Sequence, residues 1–440
     1  MADSLVGLAA KISELTATFA KQLEQLNIPE ATLDADSPTN YQDLSGEAFL
    51  VRQALHDALM DMVYRTQGPS ESIFNYVHTS MPDVAVLTCL NAFNFWSAVP
   101  LDSPATYTSI SQSTHLPLSI VHRLLDHATT MRLFAPAGPA SVIHTSRSAA
   151  IAKEAGLRAL ISTLLDDASP PMTMLHEALR RYSLDKAQPS EKMDETAFAL
   201  FHASGAYGRA YATSWDFIEN DGEGERKGWR QRNFTQFMRY IKDIFDLEKV
   251  MLEAFDWEAA GNATVVDVGG SGGHDSIALA HHFPNLRITV QDLPQAEPAF
   301  HANLPPQLSS RLSFHQHSFF QPQPLAADIY LLKLILHDWP DAESLHILRA
   351  FIPAMRPGAR ILLIDYIGKQ AEHVDEALPR SVQAMGTATD VRMLALFATR
   401  ERRVEEWKDL FQRADERFVV ERVKAEALSF MVVMEVVWRP

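Results

Sequence analysis

The sequence predicts an α/β protein, with a doubly wound parallel sheet in the C-terminal part of the chain and a mainly helical region before it. From residue 264 onward, short apolar runs rich in β-branched residues alternate with helix-prone segments. This alternation is typical of a parallel sheet that carries helices on both faces. Before residue 251 the pattern is mainly helical.

The length and charge of the chain limit its class. With 440 residues, of which 47% are hydrophobic, the chain can bury a large core and should form two or three domains. The 55 acidic and 39 basic residues give a formal net charge of −16, which repels nucleic-acid backbones and anionic lipids. We therefore expect a small-molecule partner and no nucleic-acid or membrane partner.

The cysteine content and the N-terminus indicate the compartment. Cys89 is the only cysteine, so the chain can form no internal disulfide and no cysteine-built zinc site, and we expect no bound metal. The first residues lack a basic segment followed by an apolar one, and no run of about 18 apolar residues occurs. These observations predict a soluble cytoplasmic protein.

Residues 1–42 are predicted to form one amphipathic helix followed by a linker. Six apolar residues recur three or four positions apart on a helix that ends before Pro29: Leu5, Leu8, Ile12, Leu15, Phe19 and Leu23. The polar stretch PEATLDADSPTNYQDLSG is then typical of a linker. Since the apolar stripe must be covered, we expect the helix to take part in a homodimer.

Residues 43–151 are predicted to form a winged-helix-like dimerisation domain. Two short helices around a turn, in YTSISQSTHLPLSIVHRLLDHATTMRLF, precede the strand-like SVIHTS. A winged helix raises the alternative of a DNA reader, but the candidate recognition helix at 117–130 carries only Arg123 as a permanent cation. A structural or dimerisation role is therefore favoured. Residues 152–250 are predicted to form a mainly helical connector.

The stretch VVDVGGSGGHDSIALA, residues 265–280, joins a predicted strand to a predicted helix. Four glycines between 269 and 273 let the backbone approach a ligand closely, and the helix that begins near Asp275 points N–H groups at an anionic group. At the end of the next strand, Asp292 can accept hydrogen bonds from two ribose hydroxyls. Together these features predict a nucleoside-bearing cofactor beyond the carboxyl ends of the strands.

Two alternatives for this turn are weaker. A dinucleotide fingerprint that starts at Gly270 finds Gly272 but then Asp275 in place of the third glycine. The glycines could also serve only a tight turn, but Asp292 follows at the spacing of about twenty residues that ribose recognition requires.

Five segments, in this order, resemble the S-adenosylmethionine-dependent O-methyltransferases of the caffeate/flavonoid type: VVDVGGSGG, QDLP, LLKLILHDWPD, RPGARILLIDY and MLALFATRERRVEEW. The similarity is greatest to fungal secondary-metabolite enzymes of the sterigmatocystin kind. The resemblance covers most of the chain. It implies a Rossmann-like methyltransferase domain over residues 251–440, a connector that contributes to the acceptor pocket, and an N-terminal winged-helix dimerisation domain.

The resemblance implies that S-adenosylmethionine is the cofactor. The turn would shape its methionine end, the acid of QDLP its ribose site, and HSFFQP its adenine site, although Ser318 stands where the family usually has Asp. A surface lysine at a strand end remains the alternative for Lys333, and an ordinary buried helix face remains the alternative for Phe234. These contacts are Asp267, Gly269, Gly270, Asp292, Leu293, Ser318, Phe319, Lys333 and Phe234.

The resemblance places His337, in LHDWPD, at the general-base position. A sulfonium methyl is already electrophilic, so the enzyme must align an acceptor oxygen and remove its proton, and an imidazole with an ordinary pKa of about 6.5 is largely neutral in the cytosol. Asp365 and Glu401 would orient the imidazole. Because Asp365 is one methylene shorter than the usual Glu, a contact through water or a role in capping the strand end stays open.

The implied acceptor contacts are Met238, Asp390, Met393 and Phe397, with ordinary core packing as the alternative for Met238, Met393 and Phe397. The predicted function is O-methylation of a hydroxyl, expected to be phenolic, on a polyketide- or alkaloid-like metabolite. Some proteins resembling this family bind S-adenosylmethionine but act as pericyclases. This is possible because one fold can host different activities. The set His337, Asp365 and Glu401 favours methyl transfer, and an inactive scaffold fits poorly with so many site residues.

Overall fold

The computed structural model describes residues 4–41, 44–205, 207–368, 378–426 and 430–440. The chain divides into two compact units. The first comprises Met1–Pro170, Ile218–Tyr240 and Leu378–Val382, and the second comprises Pro171–Phe217, Ile241–Ala377 and Gln383–Pro440. The domain boundaries expected at residues 42, 151 and 250 stay a prediction.

The first unit is mainly helical. Its elements, in chain order, are α1 (Leu5–Gln25), α2 (Gly46–Gln67), α3 (Pro69–Ala92), α4 (Phe95–Ala98), β1 (Ala105–Thr106), α5 (Tyr107–Thr114), α6 (Leu118–Thr130), β2 (Phe134–Pro136), β3 (Ser141–His144), α7 (Ser146–Lys153), α8 (Ala155–Ile161) and α9 (Ser169–Met172). A π-helical turn, Ser162–Ala168, joins the last two helices.

The amphipathic pattern at the N-terminus forms α1, as expected. Ser4 caps the helix by accepting a hydrogen bond from the Gly7 N–H at 3.0 Å, which satisfies one of the free donors of the first turn. Leu8 and Leu23 are buried, and α1 packs against α2 of the same chain. In the stretch predicted as a linker, the carbonyl oxygen of Leu33 accepts a hydrogen bond from the Ser146 N–H at 2.9 Å.

Two helices and a small sheet follow in the predicted order. The strands β1, β3 and β2 pair antiparallel with β3 in the centre. Ile110 of α5, Val121 and Leu125 of α6, and Val142 of β3 are fully buried in one hydrophobic core. Helices α5 and α6 therefore pack with the hairpin as a unit, and the role of this region in dimerisation stays a prediction.

An apolar surface remains exposed on α2 and α3. In α3, the exposed fraction is 59% to 71% for Ile73, Phe74, Tyr76, Val77 and Met81. In α2, it is 42% to 50% for Leu59, Met60, Val63 and Tyr64. We call these nine residues the α2–α3 face.

Four helices, α9, α12, α13 and α19, contribute residues to both units. The remaining elements belong wholly or partly to the second unit. These elements are α10 (Leu175–Tyr182), α11 (Ala197–His202), α12 (Ser214–Asn220), α13 (Trp229–Ile244), α14 (Leu247–Leu252), α15 (Trp257–Ala260), β4 (Thr264–Val268), α16 (His274–His282), β5 (Arg287–Asp292), α17 (Glu297–Asn303), β6 (Leu312–Gln316), β7 (Ile329–Lys333), α18 (Asp341–Phe351), β8 (Arg360–Tyr366), α19 (Arg380–Phe397), α20 (Val404–Ala414), β9 (Phe418–Glu426) and β10 (Met431–Trp438).

The second unit is built on a seven-stranded sheet in the order β6-β5-β4-β7-β8-β10-β9. Strands β4 to β8 run parallel, whereas β10 is antiparallel to both of its neighbours. The sheet confirms the predicted α/β class. The C-terminal hairpin of β9 and β10 lies beyond the last strand that the sequence pattern predicted.

Both faces of this sheet are covered, as a doubly wound fold requires. Successive residues of a strand point to opposite faces, so Val266 packs in the core formed with α18 and α20, and Val265 packs in the core formed with α14 and α16. The chain continues from β4 to β5 on one side and later to β7 on the other. The order therefore reverses between β4 and β7, and a ligand site is expected at their carboxyl ends.

Within the described part of the chain, no helix is long and apolar enough to cross a membrane.

Candidate active site

The glycine turn lies at this switch point, between β4 and α16. Gly269 has a φ of +73°, and a Cβ atom there would lie 2.5 Å from Ile335 Cδ1. A Cβ atom on Gly270 would lie 2.5 Å from a carboxylate oxygen of Asp267. The N–H groups of both glycines donate to the carbonyl oxygen of Gln291, at 2.8 and 3.3 Å. A larger residue at Gly269 would be strained by the positive φ, and one at Gly270 would force Asp267 or the turn to move.

Asp267 connects β4 with the helix that follows the turn. Its carboxylate is buried and accepts a hydrogen bond from Ser276 Oγ, in the first turn of α16, at 2.6 Å. Burial raises the pKa of Asp267 to about 7, although the bond from Ser276 opposes this. Asp267 thus ties the end of β4 to α16, and its predicted part in shaping the methionine end stays a prediction.

Asp292 ends β5 and faces the turn. One carboxylate oxygen accepts the Ser271 N–H at 2.8 Å, and the other accepts the Leu293 N–H at 2.7 Å. Burial raises the pKa of Asp292, and both N–H donors lower it. A carboxylate oxygen has a second lone pair, so this held carboxylate can still accept hydrogen bonds from two ribose hydroxyls.

Lys333 ends β7 and belongs to a buried ion cluster. Its side chain is 7% exposed, and its ammonium lies 2.7 Å from Asp275, which Lys242 also contacts at 3.1 Å. Burial raises the pKa of Asp275, but the two lysines outweigh this and hold it below the ordinary value. Lys333 is therefore not a solvated surface lysine. Its contact with a cofactor stays a prediction.

The segment that follows β6 lies beside the glycine turn. A Cβ atom on Gly269 would lie 3.9 Å from the Phe319 ring, and that ring packs against Phe320 and Trp339 at centroid distances of 5.0 and 5.9 Å. Phe319 thus offers an aromatic surface next to the turn. The predicted contact of Ser318 with adenine stays a prediction.

Sequence reasoning missed a buried amide pair beneath this site. The side chains of Gln291 and Gln323 exchange two hydrogen bonds, at 2.9 and 2.7 Å. They join the end of β5 to the chain just beyond Phe320. No local pattern marks either glutamine, and the same is true of Lys242, because each acts through a partner distant in sequence.

His337 lies on a short turn, Leu336–Asp338, that follows β7. The residue is 7% exposed. Its Nδ1 atom is 3.3 Å from Glu401 Oε1, and its Nε2 atom is 3.5 Å from Asp338 Oδ1. The Tyr366 ring lies against the imidazole at a centroid distance of 5.0 Å. The predicted pairing of His337 with Glu401 is thus present.

The carboxylates around His337 change its titration. Burial disfavours the imidazolium, but Asp338, Glu401 and Asp365 outweigh it and raise the pKa of His337 to about 10. Burial in turn raises the pKa of Asp338 and of Asp365 to about 6, although the imidazolium lowers both. The pKa of His337 is therefore higher than the ordinary value expected from the sequence, because three carboxylates act on it electrostatically.

Asp365 contacts the backbone of this turn and not the ring. One oxygen accepts the N–H groups of Leu336 and His337, at 3.1 and 3.3 Å, and the other accepts the Tyr366 N–H at 2.9 Å. The short side chain ends at these donors. Asp365 thus caps the strand end, and of these two carboxylates only Glu401 lies within hydrogen-bond distance of the imidazole. The part of Glu401 in orienting the ring stays a prediction.

The predicted acceptor residues, and Phe234 among the predicted cofactor contacts, lie on two helices, α19 and α13. Asp390 of α19 accepts the Glu401 N–H at 2.8 Å and so supports Glu401 directly. Met393 and Phe397 are buried, and the Phe397 ring lies 5.6 Å from that of Trp215. Phe234 and Met238 lie on α13 in the first unit. The predicted contacts of these residues with cofactor or acceptor stay predictions.

Known proteins resemble this chain over nearly its full length. A family model for the O-methyltransferase domain matches residues 199–415. O-methyltransferase lcsG of Purpureocillium lilacinum is 38% identical over 98% of this chain and 92% of its own length. This chain belongs to the O-methyltransferase family. A further member, O-methyltransferase VdtC of Byssochlamys spectabilis, is 32% identical over 98% of this chain and 96% of its own length.

Solved structures share the fold of this O-methyltransferase. OxaC, in complex with SAH and oxaline, superposes with a TM-score of 0.75 at 20% identity, over 98% of this chain and 100% of its own. A structure described as a pericyclic reaction enzyme gives a TM-score of 0.69 at 20% identity, over 98% of this chain and 100% of its own. At such identities the likeness concerns the fold alone, and it confirms the α/β methyltransferase domain with a helical N-terminal region.

As a member of this family, the O-methyltransferase uses S-adenosylmethionine. The described residues fit this cofactor. The turn at Gly269 and Gly270 leaves no room for a Cβ atom, Asp292 presents a carboxylate fixed by two N–H groups, and Phe319 offers an aromatic surface beside them. The cofactor prediction is thereby confirmed, and the assignment of single contacts stays open to test.

Proposed function

We propose that this O-methyltransferase methylates a phenolic hydroxyl of a polyketide- or alkaloid-like metabolite, with His337 as the general base. One observation carries the proposal. A buried imidazole, paired with Glu401 at Nδ1, follows β7 at the switch point where the glycine turn follows β4. Since Glu401 occupies Nδ1, the other nitrogen is the one that can accept the proton of an acceptor.

The charges around His337 suit this step. When bound, S-adenosylmethionine supplies an electrophilic methyl group and a positive charge that disfavours protonation of a nearby imidazole. The carboxylates of Asp338, Glu401 and Asp365 raise the pKa of His337 to about 10, close to the value of about 10 for a phenol. An unprotonated imidazole beside these carboxylates can take a phenolic proton because they stabilise the imidazolium that forms, and the positive charge of the bound cofactor favours the unprotonated ring from which the step starts.

The side chains proposed for the acceptor site support the nature of the acceptor. Tyr366 lies against His337, while Met393 and Phe397 of α19 are buried, with Trp215 packed on Phe397. Aromatic and thioether side chains favour flat, apolar ligands. They support an aromatic acceptor, in agreement with the metabolite class inferred from the sequence.

Methyl-labelled S-adenosylmethionine, incubated with metabolite extracts, tests the proposed function by mass analysis. We expect label in a phenolic product and release of S-adenosylhomocysteine. On the acceptor found in this way, His337→Ala should lower methyl transfer by about 10² to 10⁴ and leave cofactor affinity nearly unchanged, because only the proton acceptor is lost. Equal rates for the two enzymes would refute the general-base role.

A pericyclase remains the second candidate, because a protein of that activity shares the fold. Such an enzyme would form an unlabelled isomer and release no S-adenosylhomocysteine. The pairing of His337 with Glu401 favours methyl transfer, since a cyclisation has less need of a proton acceptor. Turnover without label in the same experiment would establish the second candidate instead.

We also propose that the enzyme is a homodimer. The α2–α3 face exposes nine large apolar or aromatic side chains on two consecutive helices of one unit, and a large exposed apolar surface marks an interaction site. Pairing of two copies about a twofold axis would bury it on both.

A further inference from the structure

Arg402 is a buried cation next to the segment that carries His337. The residue is 1% exposed, and its guanidinium donates to the carbonyl oxygen of Leu336 at 2.9 Å and to that of Trp339 at 2.8 Å. These two carbonyl groups lie on either side of His337 and Asp338. A planar guanidinium can hold two acceptors in a fixed geometry, which an ammonium cannot do.

The backbone N–H groups of the same segment are held by Asp365. Its carboxylate accepts the N–H groups of Leu336 and His337, at 3.1 and 3.3 Å. The backbone of Leu336–Trp339 is thus fixed by a buried cation at its carbonyl groups and by a buried anion at its amides. Leu334, just before it, has a φ of +55°, a backbone strain that persists only where the surroundings enforce it.

The charge of Arg402 is compensated by Asp341. One oxygen of Asp341 accepts from Arg402 Nη2 and Nε, at 2.9 and 3.1 Å, and the other accepts from Arg413 at 2.8 Å. A buried cation is costly unless it is paired and hydrogen-bonded, and both conditions hold. Arg413 reaches Asp341 from outside, with its side chain 45% exposed.

Arg402 directly follows Glu401, the residue that contacts the imidazole. We infer that Arg402 is a positioning residue for His337, which fixes the backbone of Leu336–Trp339 so that the imidazole keeps its alignment with Glu401. This inference rests on the proposed role of His337 as the base. Arg402 itself touches neither ring nitrogen.

Arg402→Lys tests the inference, because it keeps the charge and loses the two-armed contact. We expect kcat on the acceptor identified above to fall roughly 10- to 100-fold, since small misplacements of a catalytic group have effects of this size. Affinity for S-adenosylhomocysteine, measured by calorimetry, should stay within about twofold. The matched control is Arg413→Lys, which alters the same Asp341 carboxylate from outside the segment and should leave kcat unchanged.

A second measurement needs no acceptor. In protein with ¹³C-labelled histidine rings, the resonance that disappears in His337→Ala reports the titration of His337. In Arg402→Lys its pKa should fall by about one unit or more, because a loosened ring loses its fixed contact with the carboxylates. Arg413→Lys should leave it in place. An unchanged kcat and an unchanged pKa in Arg402→Lys would overturn the inference.

A double-mutant cycle separates this inference from the proposed function. If Arg402 acts through His337, Arg402→Lys should change the residual rate of His337→Ala by less than about twofold, whereas full additivity would mean a merely structural role. A normal rate in His337→Ala would refute the general base and leave the pKa of the ring to decide on Arg402. If Arg402→Lys does not fold, Ser344→Ala removes a second donor that contacts both of these carbonyl oxygens. Its kcat should fall a few-fold, and an unchanged kcat would overturn the inference.

Discussion

His337 meets a carboxylate at each of its ring nitrogens, Glu401 at Nδ1 and Asp338 at Nε2. In the proposed mechanism the first contact orients the ring, and the second places a negative charge beside the nitrogen that receives the proton. Only the unprotonated imidazole can act as a base. Turnover should therefore rise as the pH rises through the pKa of His337 in the donor-bound enzyme.

Asp338→Asn should move this rise to lower pH. The substitution removes a carboxylate that raises the pKa of His337, so the imidazole loses its proton at a lower pH. The pH dependence of kcat, recorded for both enzymes on the same acceptor, measures the shift. Asp409→Asn, at an exposed position on α20, is the control and should leave the profile unchanged. A profile that stays in place in Asp338→Asn would contradict the prediction.

Asp292→Ala should weaken the binding of S-adenosylmethionine by a few kcal/mol, since charge-assisted hydrogen bonds to the ribose would be lost. Calorimetric titration of the folded variant measures this. Asp328→Ala is the matched control, because Asp328 accepts the Thr264 N–H at the amino-terminal ends of the strands of the same sheet. Equal affinities of Asp292→Ala and the wild type would remove the ribose assignment.

Among the elements, the turn between β4 and α16 was the easiest to predict. Its glycines and the acid at the end of the next strand form a local pattern, and parallel strands bring their carboxyl ends to one edge. The partner of Asp365 could not be predicted in this way. Spacing along the chain does not determine whether a carboxylate reaches a ring or the backbone beside it.

Contacts between distant segments could not be predicted from the sequence either. The Gln291–Gln323 pair and the cluster of Asp275 with Lys242 and Lys333 each join residues at least thirty positions apart. Neither glutamines nor lysines mark a buried position by type, because most are solvated. The C-terminal hairpin was missed for another reason, since β9 and β10 are antiparallel neighbours and, among the described residues, no helix lies between them to continue the strand and helix alternation.

Gly270→Ala tests the turn as an element. The added Cβ atom would lie 2.5 Å from Asp267 and 2.9 Å from Val290, so the turn must shift. We expect S-adenosylmethionine to bind about tenfold more weakly or worse, which corresponds to about 1.4 kcal/mol. Gly386→Ala on α19 meets only ordinary contacts, at 3.7 Å or more, and should bind normally. Normal binding by both variants would argue against a cofactor site at this turn.

For the whole molecule, the α2–α3 face makes the oligomeric state testable. Light scattering of the full chain should give twice the monomer mass at micromolar concentration. The double substitution Phe74→Glu and Val77→Glu should yield monomers, because burial of four charges in a symmetric interface is costly. Leu184→Glu, at a position 62% exposed in the second unit, should leave the dimer intact. Removal of residues 1–42 should also weaken it, and a monomeric full chain would contradict the proposal.

The supports of His337 and the predicted wall of the acceptor site lie on different residues. Asp365, Glu401 and Arg402, on β8 and the segment after α19, contact His337 or the backbone beside it, whereas Met393 and Phe397 lie on α19 itself. Substitutions at Met393 or Phe397 can therefore change the shape of the proposed pocket and leave these contacts in place, whereas Asp390 on the same helix supports Glu401. Such a separation allows substrates to diversify while one reaction is kept. Met393 and Phe397 of α19 are therefore the positions where an altered acceptor range should first be sought by directed evolution.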